Sequence, residues 1–197
     1  MEHKVNCIRR FLTALAVLAA VCTLLFVLAY KRLAKLAYPQ KYQEYVTYYA
    51  EKYDIDPLIL YTFIRTESNF DPQAQSNMDA RGLMQITEVT FDWIKSNIAS
   101  AEALTFEDMY DPETSIRFGA YFIKYCLLRY QGDLSTAAAA YHSGWGTVDA
   151  LLEDSRYTEN GKTLTDYPYP QMRNYVRKIT QGYLHYQKLY AEEIERK

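Results

Sequence analysis

Glu67 lies near the end of a segment with a helical apolar face, and turn-forming residues follow that segment. In the segment DPLILYTFIRTES, Leu60, Ile64 and Glu67 are spaced four and three residues apart, so they share one face of a helix. Burial disfavours the charged form of a carboxylic acid and raises its pKa, as a general acid near neutral pH requires. For the segment alone, an exposed glutamate in a last helical turn is the commoner case, because lone acids are frequent.

The twenty residues that begin at Glu67, ESNFDPQAQSNMDARGLMQI, favour the catalytic interpretation. They resemble the core signature of the SLT-type lytic transglycosylases, a lysozyme-like family that cleaves the glycan strands of peptidoglycan. The family pattern is Glu-Ser, a Pro-x-Ala-x-Ser turn and Gly-Leu-Met-Gln, which correspond here to residues 67–68, 72–76 and 82–85.

Two further matches follow in the order that the family has. AAAAYHSGWGTV resembles its Ala-Tyr-Asn-Ala-Gly segment, and YPYPQMRNYVRKI resembles its Pro-Glu-Thr-x-x-Tyr-Val segment. The resemblance therefore covers residues 42–190 and implies a lysozyme-like helical domain.

The resemblance implies a specific reaction for Glu67. This residue matches the family's single catalytic acid, which protonates the glycosidic oxygen in the β-1,4 bond between N-acetylmuramic acid (MurNAc) and N-acetylglucosamine (GlcNAc). The N-acetyl group of the substrate then assists in place of a second carboxylate. Deprotonated Glu67 acts as base on the 6-hydroxyl, and intramolecular attack gives a 1,6-anhydro-MurNAc end without water.

The same resemblance implies a substrate-binding set around the acid. Its members are Ser68, Ser76, Gly82, Met84, Gln85, Tyr141, His142 and Tyr175. Ser68 and Ser76 match positions that steady the acid and the N-acetyl region, although either serine is also compatible with a local turn or cap. Gly82 lacks a Cβ and marks a close approach of the backbone.

The remaining members of this set match side chains of the family's groove. Met84 and Gln85 match residues that contact the glycan, although a methionine taken alone is more often a core residue. Tyr141 and Tyr175 match the tyrosines that flank the acid, where a ring can pack against sugar and a hydroxyl can form hydrogen bonds.

Departures from the family pattern support two alternatives. His142 replaces the usual Asn, Ser143 the usual Ala, and Gln171-Met172 the usual Glu-Thr, which motivates a catalytically inactive peptidoglycan-binding module. Asp79 stands where a small residue is common and could activate water, as in a goose-type-lysozyme-like hydrolase of the same bond. Against hydrolysis, Thr87 occupies the position where those lysozymes have an acid.

Helical periodicity dominates the chain after residue 40 and predicts an all-α or α-rich α+β domain. The predicted helices lie near 41–53, 57–67, 87–98, 112–130, 133–142, 144–153 and 170–192. Asp56-Pro57 and Asp111-Pro112 each place a capping acid before a first-turn proline. Thr87 and Asp133 are candidate caps of two other helices.

The N-terminal region predicts a single membrane anchor. Residues 11–30 form an uncharged, predominantly apolar run that matches the thickness of a bilayer core. We expect residues 1–10 in the cytoplasm, residues 31–40 as a juxtamembrane linker, and residues 41–197 as the SLT-like domain outside the cell. This orientation is inferred from the location of the cell wall, because positive charges flank both ends of the run.

The expected partners are peptidoglycan glycan strands, which the resemblance implies, and the membrane; composition argues against nucleic acid. After residue 37 there are 16 Lys and Arg against 23 Asp and Glu, and this acidic balance argues against nucleic-acid binding. The region has one cysteine, Cys126, and the three histidines lack metal-ligand spacing. We therefore expect no metal site and no cofactor.

Overall fold

The computed structural model describes residues 2–194 of the 197-residue chain. The chain divides into two compact units, Met1–Pro39 and Gln40–Lys197.

The first unit is dominated by one long helix, α1, which spans Glu2–Ala37. Its segment Leu12–Ala37 is long and apolar enough to cross a membrane. The helix continues beyond residue 30, where the sequence predicts a linker. It continues because Leu, Ala, Lys and Arg all favour helices, and the first proline after the run is Pro39.

The second unit confirms the predicted helical class. Its helices are α2 (Gln43–Tyr53), α3 (Pro57–Ser68), α4 (Glu88–Ile98), α5 (Pro112–Arg129), α6 (Leu134–Ser143), α7 (Trp145–Leu152) and α8 (Pro170–Ile194), with a 3-10 helix at Phe106–Tyr110 before α5. Between residues 2 and 194 there is no β-strand, and the only pairings of that kind are isolated bridges that join Arg81 to Gln75 and to Ile86.

The four predicted caps are all present. The Asp56 carboxylate accepts a hydrogen bond from the Leu58 N–H at 2.8 Å, and those of Asp111 and Asp133 accept equivalent bonds at 2.8 and 2.7 Å. The Thr87 hydroxyl accepts from the third residue beyond it at 3.4 Å. Each cap satisfies an N–H that the first helical turn leaves without an intrahelical partner.

Helix α6 lies at the centre of the domain, packed against α5, α7 and α8. Its residues 137–140 are four buried alanines, and such small side chains let the neighbouring helices approach closely. Helix α3 packs against α8 and α2. This packing brings the C-terminal ends of α3 and α6 to the same region of the domain as the first half of α8.

The loop between α3 and α4, residues 69–87, is shaped by left-handed backbone conformations. Gly82 has a φ of 73°, and a Cβ built on it would lie 1.8 Å from the Met109 carbonyl oxygen. Glycine is therefore required there both by its conformation and by close packing on the 3-10 helix.

Candidate active site

Glu67 lies in the last turn of α3, on the same face as the fully buried Leu60 and Ile64. Burial raises the pKa of Glu67 to about 7. A hydrogen bond that the Tyr175 hydroxyl donates to Glu67 Oε1 and the positive charge of Lys178 act in the opposite direction. The carboxyl group is therefore partly protonated at neutral pH and can both donate and accept a proton.

Glu67 faces a surface groove with a volume of about 270 Å³. The groove is lined by Glu67, Ser76, Met78, Ala80, Gln85, Ile86, Thr87, Thr90, Phe122, Tyr141 and His142. Glu67 is the only carboxylate among these lining residues. The structure thus brings five of the nine predicted site residues to one groove: Glu67, Ser76, Gln85, Tyr141 and His142.

Two lining residues of the α3–α4 loop are fixed by bonds to the loop backbone. The Ser76 hydroxyl accepts hydrogen bonds from two backbone N–H groups, at 3.0 and 3.2 Å. Gln85 Nε2 lies 3.0 Å from the carbonyl oxygens of Ala74 and Gly82, and Gln85 itself has a φ of 47°. This wall of the groove is consequently held in shape without a ligand.

Tyr141 joins the groove to the loop. Its hydroxyl donates to the Met84 carbonyl oxygen at 2.6 Å, and its ring packs against Phe63 and Phe122 with centroids 4.9 and 5.0 Å away. The hydroxyl is thus engaged by the backbone, while the residue still lines the groove beside Glu67.

His142 and Tyr175 are stacked. Their ring centroids are 4.5 Å apart and their planes differ by 11°. Burial and the nearby charge of Lys178 lower the pKa of His142, so its ring is neutral at neutral pH. Tyr175 is buried and does not line the groove. It positions the acid through the hydrogen bond from its hydroxyl.

Three predicted site residues shape the loop and do not line the groove. Ser68 Oγ lies 3.1 and 3.0 Å from the carbonyl oxygens of Ile64 and Leu83, which ties the end of α3 to the loop. Gly82 is packed on the 3-10 helix, as described above. The expected contact between the Met84 side chain and the glycan is wrong, because this side chain is fully buried against Gly119.

Asp79 lies outside the set of lining residues. Its carboxylate accepts hydrogen bonds from Arg81 Nε at 2.9 Å and from Gln75 Nε2 at 2.5 Å. The bond from Arg81, followed by that from Gln75, lowers the pKa of Asp79, which is therefore ionised and paired. Thr87, at the position where an acid would favour hydrolysis, caps α4 and lines the groove.

Sequence reasoning missed several lining residues, among them Thr90 and Phe122. Thr90 could have been found, because it follows the candidate cap Thr87 by one helical turn. Phe122 gives no such signal, because it looks like any other apolar residue of α5.

The described part of the chain contains no group of three or more His, Cys, Asp or Glu side chains that could hold a metal ion.

Sequence comparison finds relatives over most of the second unit. The model of the transglycosylase SLT domain family matches residues 44–163, which is more than half of the chain. A transglycosylase of Enterobacteria phage PRD1 is 35% identical over 100 residues, which are 48% of this chain and 34% of that protein. The membrane-bound lytic murein transglycosylase F of Yersinia pseudotuberculosis is 31% identical over 159 residues, with 73% of this chain and 30% of that protein covered.

Solved structures share the fold. The 70 kDa soluble lytic transglycosylase of Escherichia coli superposes with a TM-score of 0.71 at 22% identity, over 79% of this chain and 25% of that one. An inactive mutant of lytic transglycosylase Slt from Pseudomonas aeruginosa gives 0.68 at 23%, over 80% and 26%. The matched region spans about a third or less of each of these proteins. With the family model matched across the helices that form the groove, the chain belongs to the transglycosylase SLT domain family.

Proposed function

We propose that this chain is a membrane-anchored lytic transglycosylase that cleaves the β-1,4 bond between MurNAc and GlcNAc in peptidoglycan and leaves 1,6-anhydro-MurNAc ends. The observation that supports this most strongly is the state of Glu67. It is a half-buried carboxyl group with a pKa raised to about 7, it faces a groove, and it is the only carboxylate among the described residues that line that groove.

The proposed reaction uses one proton carrier twice. Protonated Glu67 gives its proton to the glycosidic oxygen as the C–O bond breaks, and the substrate's N-acetyl oxygen bonds to the anomeric carbon. The resulting Glu67 carboxylate removes the proton of the 6-hydroxyl, whose oxygen displaces the N-acetyl oxygen and closes the anhydro ring. Glu67 is then protonated again, and no water is consumed.

The neighbours of Glu67 suit both halves of this cycle. The Tyr175 hydroxyl stabilises the carboxylate that exists between the two proton transfers, while burial favours the protonated form before them. We assign substrate binding to the groove residues Ser76, Gln85 and His142, and positioning of the acid to Tyr175. Tyr141 also lines the groove, and the hydrogen bond from its hydroxyl to the loop backbone holds it in place.

The goose-type hydrolase is less well supported. It needs a second carboxylate to activate water near the bond. Asp79, the candidate for this role, is paired with Arg81 outside the groove lining. An inactive binding module would not need an acid with a raised pKa, because the desolvation that raises it costs stability.

We further propose that residues 11–30 anchor the protein in the cell membrane, with residues 1–10 in the cytoplasm, 31–40 as a connection and 41–197 facing the cell wall. The apolar segment of α1 supports the anchor, as does the relative described as membrane-bound. The orientation rests on the location of peptidoglycan outside the cell.

Digestion of purified peptidoglycan by the full-length chain in detergent tests the proposal. Mass spectrometry of the products should show anhydro ends, and the Glu67→Gln variant should release none. Reducing ends in place of anhydro ends would establish the hydrolase instead. Equal product yield from both forms would remove Glu67 from the mechanism.

A further inference from the structure

Three helical segments each have an aromatic residue three positions beyond a side chain that lines the groove. The pairs are Thr90 and Trp93 on α4, Phe122 and Tyr125 on α5, and His142 and Trp145 where α6 meets α7. Within a helix, a spacing of three residues keeps side chains on one face, so the pairs on α4 and α5 each share a face, whereas Gly144 separates His142 on α6 from Trp145 on α7. We refer to Trp93, Tyr125 and Trp145 as the aromatic cluster.

The rings of the aromatic cluster contact one another and adjoin the groove through Phe122. Trp93 lies 4.7 Å from Tyr125 and 5.0 Å from Trp145 between ring centroids, and Tyr125 lies 5.4 Å from Trp145. Phe122, which lines the groove, contacts both indoles at 5.8 and 6.0 Å. All three rings of the cluster are half-buried, so part of each ring faces solvent.

Polar groups border the rings. Arg129 and Asp149 form an ion pair beside the cluster, and Arg129 also lies 3.5 Å from the Tyr125 hydroxyl. The Tyr130 hydroxyl donates to Asp149 at 3.0 Å. A pyranose ring has an apolar C–H face and hydroxyls around its edge, which matches aromatic rings bordered by hydrogen-bonding groups. An uninterrupted apolar surface would suit such a ligand less well.

The size of the groove also favours a continuation of the binding surface. Its volume of about 270 Å³ is no larger than pockets that hold one small molecule, typically about 300 to 1,000 Å³. A polysaccharide is much longer than such a molecule, so a bound strand has to extend over the neighbouring surface.

We propose that the aromatic cluster binds a sugar unit of the glycan strand beyond those held beside Glu67. This inference rests on the proposed function, because it assumes that a glycan occupies the groove. The ligand is an N-acetylated pyranose of the strand, whose C–H face stacks on the indole of Trp145 or Trp93 while its hydroxyls meet Arg129 and Asp149.

The test uses the full-length chain in detergent with Glu67→Gln, which prevents turnover, and GlcNAc oligomers of two and six units as probes. The chain has two tryptophans, and both belong to the cluster, so tryptophan emission reports on it directly. The six-unit oligomer should change this emission. Calorimetric titration should show that Trp145→Leu lowers the affinity ratio of six-unit to two-unit oligomer about three- to tenfold.

Matched variants separate stacking from packing. Trp145→Phe keeps an aromatic face and should retain most of the ratio, whereas leucine keeps only apolar bulk. Tyr125→Leu leaves both indoles in place and should also lower the ratio. Tyr48→Leu, at an exposed tyrosine of α2, should leave it unchanged. Thermal unfolding shows that each variant is folded.

An unchanged affinity ratio in both leucine variants would overturn the inference, and so would tryptophan emission that does not respond to the six-unit oligomer. The two proposals fail in different ways. Release of anhydro ends is measured with Glu67 intact, so its absence contradicts the proposed function, whereas active chains with an insensitive cluster contradict only this inference.

Discussion

Glu67 and Asp79 are two carboxylic acids twelve residues apart, and their surroundings shift their pKa values in opposite directions. Glu67 is half-buried at the end of α3, and desolvation of its carboxyl group raises the pKa to about 7. Asp79 is half-exposed in the following loop, where hydrogen bonds from Arg81 and Gln75 lower its pKa. Only Glu67 faces the groove.

The comparison shows that the kind of neighbour selects the role of an acid. Asp79 has a cation in direct contact and stabilises a loop as an ion. Glu67 has a phenol and apolar side chains around it, so it keeps a proton available at a cost in stability. Four measurements test this contrast.

The largest difference is expected in activity. Glu67→Gln should lower the rate of anhydro-end release by about a thousandfold or more, because general acid and base catalysis are both lost. Asp79→Asn is the matched control, an isosteric amide at the other carboxylate, and it should retain activity. A comparable loss in both variants would show that the two acids cooperate, as in a hydrolase.

The second difference concerns stability against pH. The pKa of Glu67 is about 4.5 in the unfolded chain and about 7 in the folded one, so the unfolded state releases its proton first as pH rises. Native Glu67 therefore lowers the free energy of unfolding progressively between these values and fully above pH 7. Glu67→Gln should be more stable at pH 7.5 by on the order of 3 kcal/mol, and equally stable at pH 4. Thermal unfolding at both pH values measures this, and a pH-independent difference would contradict the assigned pKa.

The third measurement concerns the hydroxyl group of Tyr175 and its effect on the pKa of Glu67. Tyr175→Phe removes the hydrogen bond that stabilises the Glu67 carboxylate, so the pKa of Glu67 should rise and the alkaline limb of kcat/KM should move to higher pH. The maximal rate should fall about tenfold, because the acid also loses its orientation. Tyr141→Phe is the control, since that hydroxyl bonds the Met84 carbonyl, and it should leave the alkaline limb in place.

The smallest effect is expected from the loop ion pair. The pKa of Asp79 is lowered in the folded chain, so its contribution to stability is present above the unfolded pKa and is lost as pH falls through the folded one. Asp79→Asn should therefore slightly lower the unfolding midpoint at pH 7 and leave it unchanged at strongly acidic pH. Because Asp79 is half-exposed, the loss at pH 7 should shrink in high salt.

Much of the fold could be predicted because its signals are local. Asp56-Pro57 and Asp111-Pro112 start helices where the capping chemistry predicts them, and the periodic segments became helices with ends within a few residues. The 3-10 helix was missed because five residues are too few to show a period. The helical continuation of α1 past residue 30 was missed because charged residues suggested a linker, although they are good helix formers.

The site could be predicted only in part, because its geometry is not local. Tyr175 lies 108 positions from Glu67 and reaches it through the packing of α8 on α3, so its place beside the acid could be expected only from the family resemblance. The resemblance predicted Met84 as a groove residue. In the structure its side chain packs in the core, in the space that Gly119 leaves open because it has no Cβ. The aromatic cluster escaped notice because its three rings belong to separate helical segments.

The place of Glu67 within α3 has a further consequence. The peptide dipoles of a helix point their negative end toward its C-terminus, where the last carbonyls lack intrahelical partners. A carboxylate in that final turn is disfavoured by roughly 0.5 kcal/mol through the main chain alone. The main chain thus contributes to the raised pKa of Glu67, and this contribution would remain after replacement of the surrounding side chains.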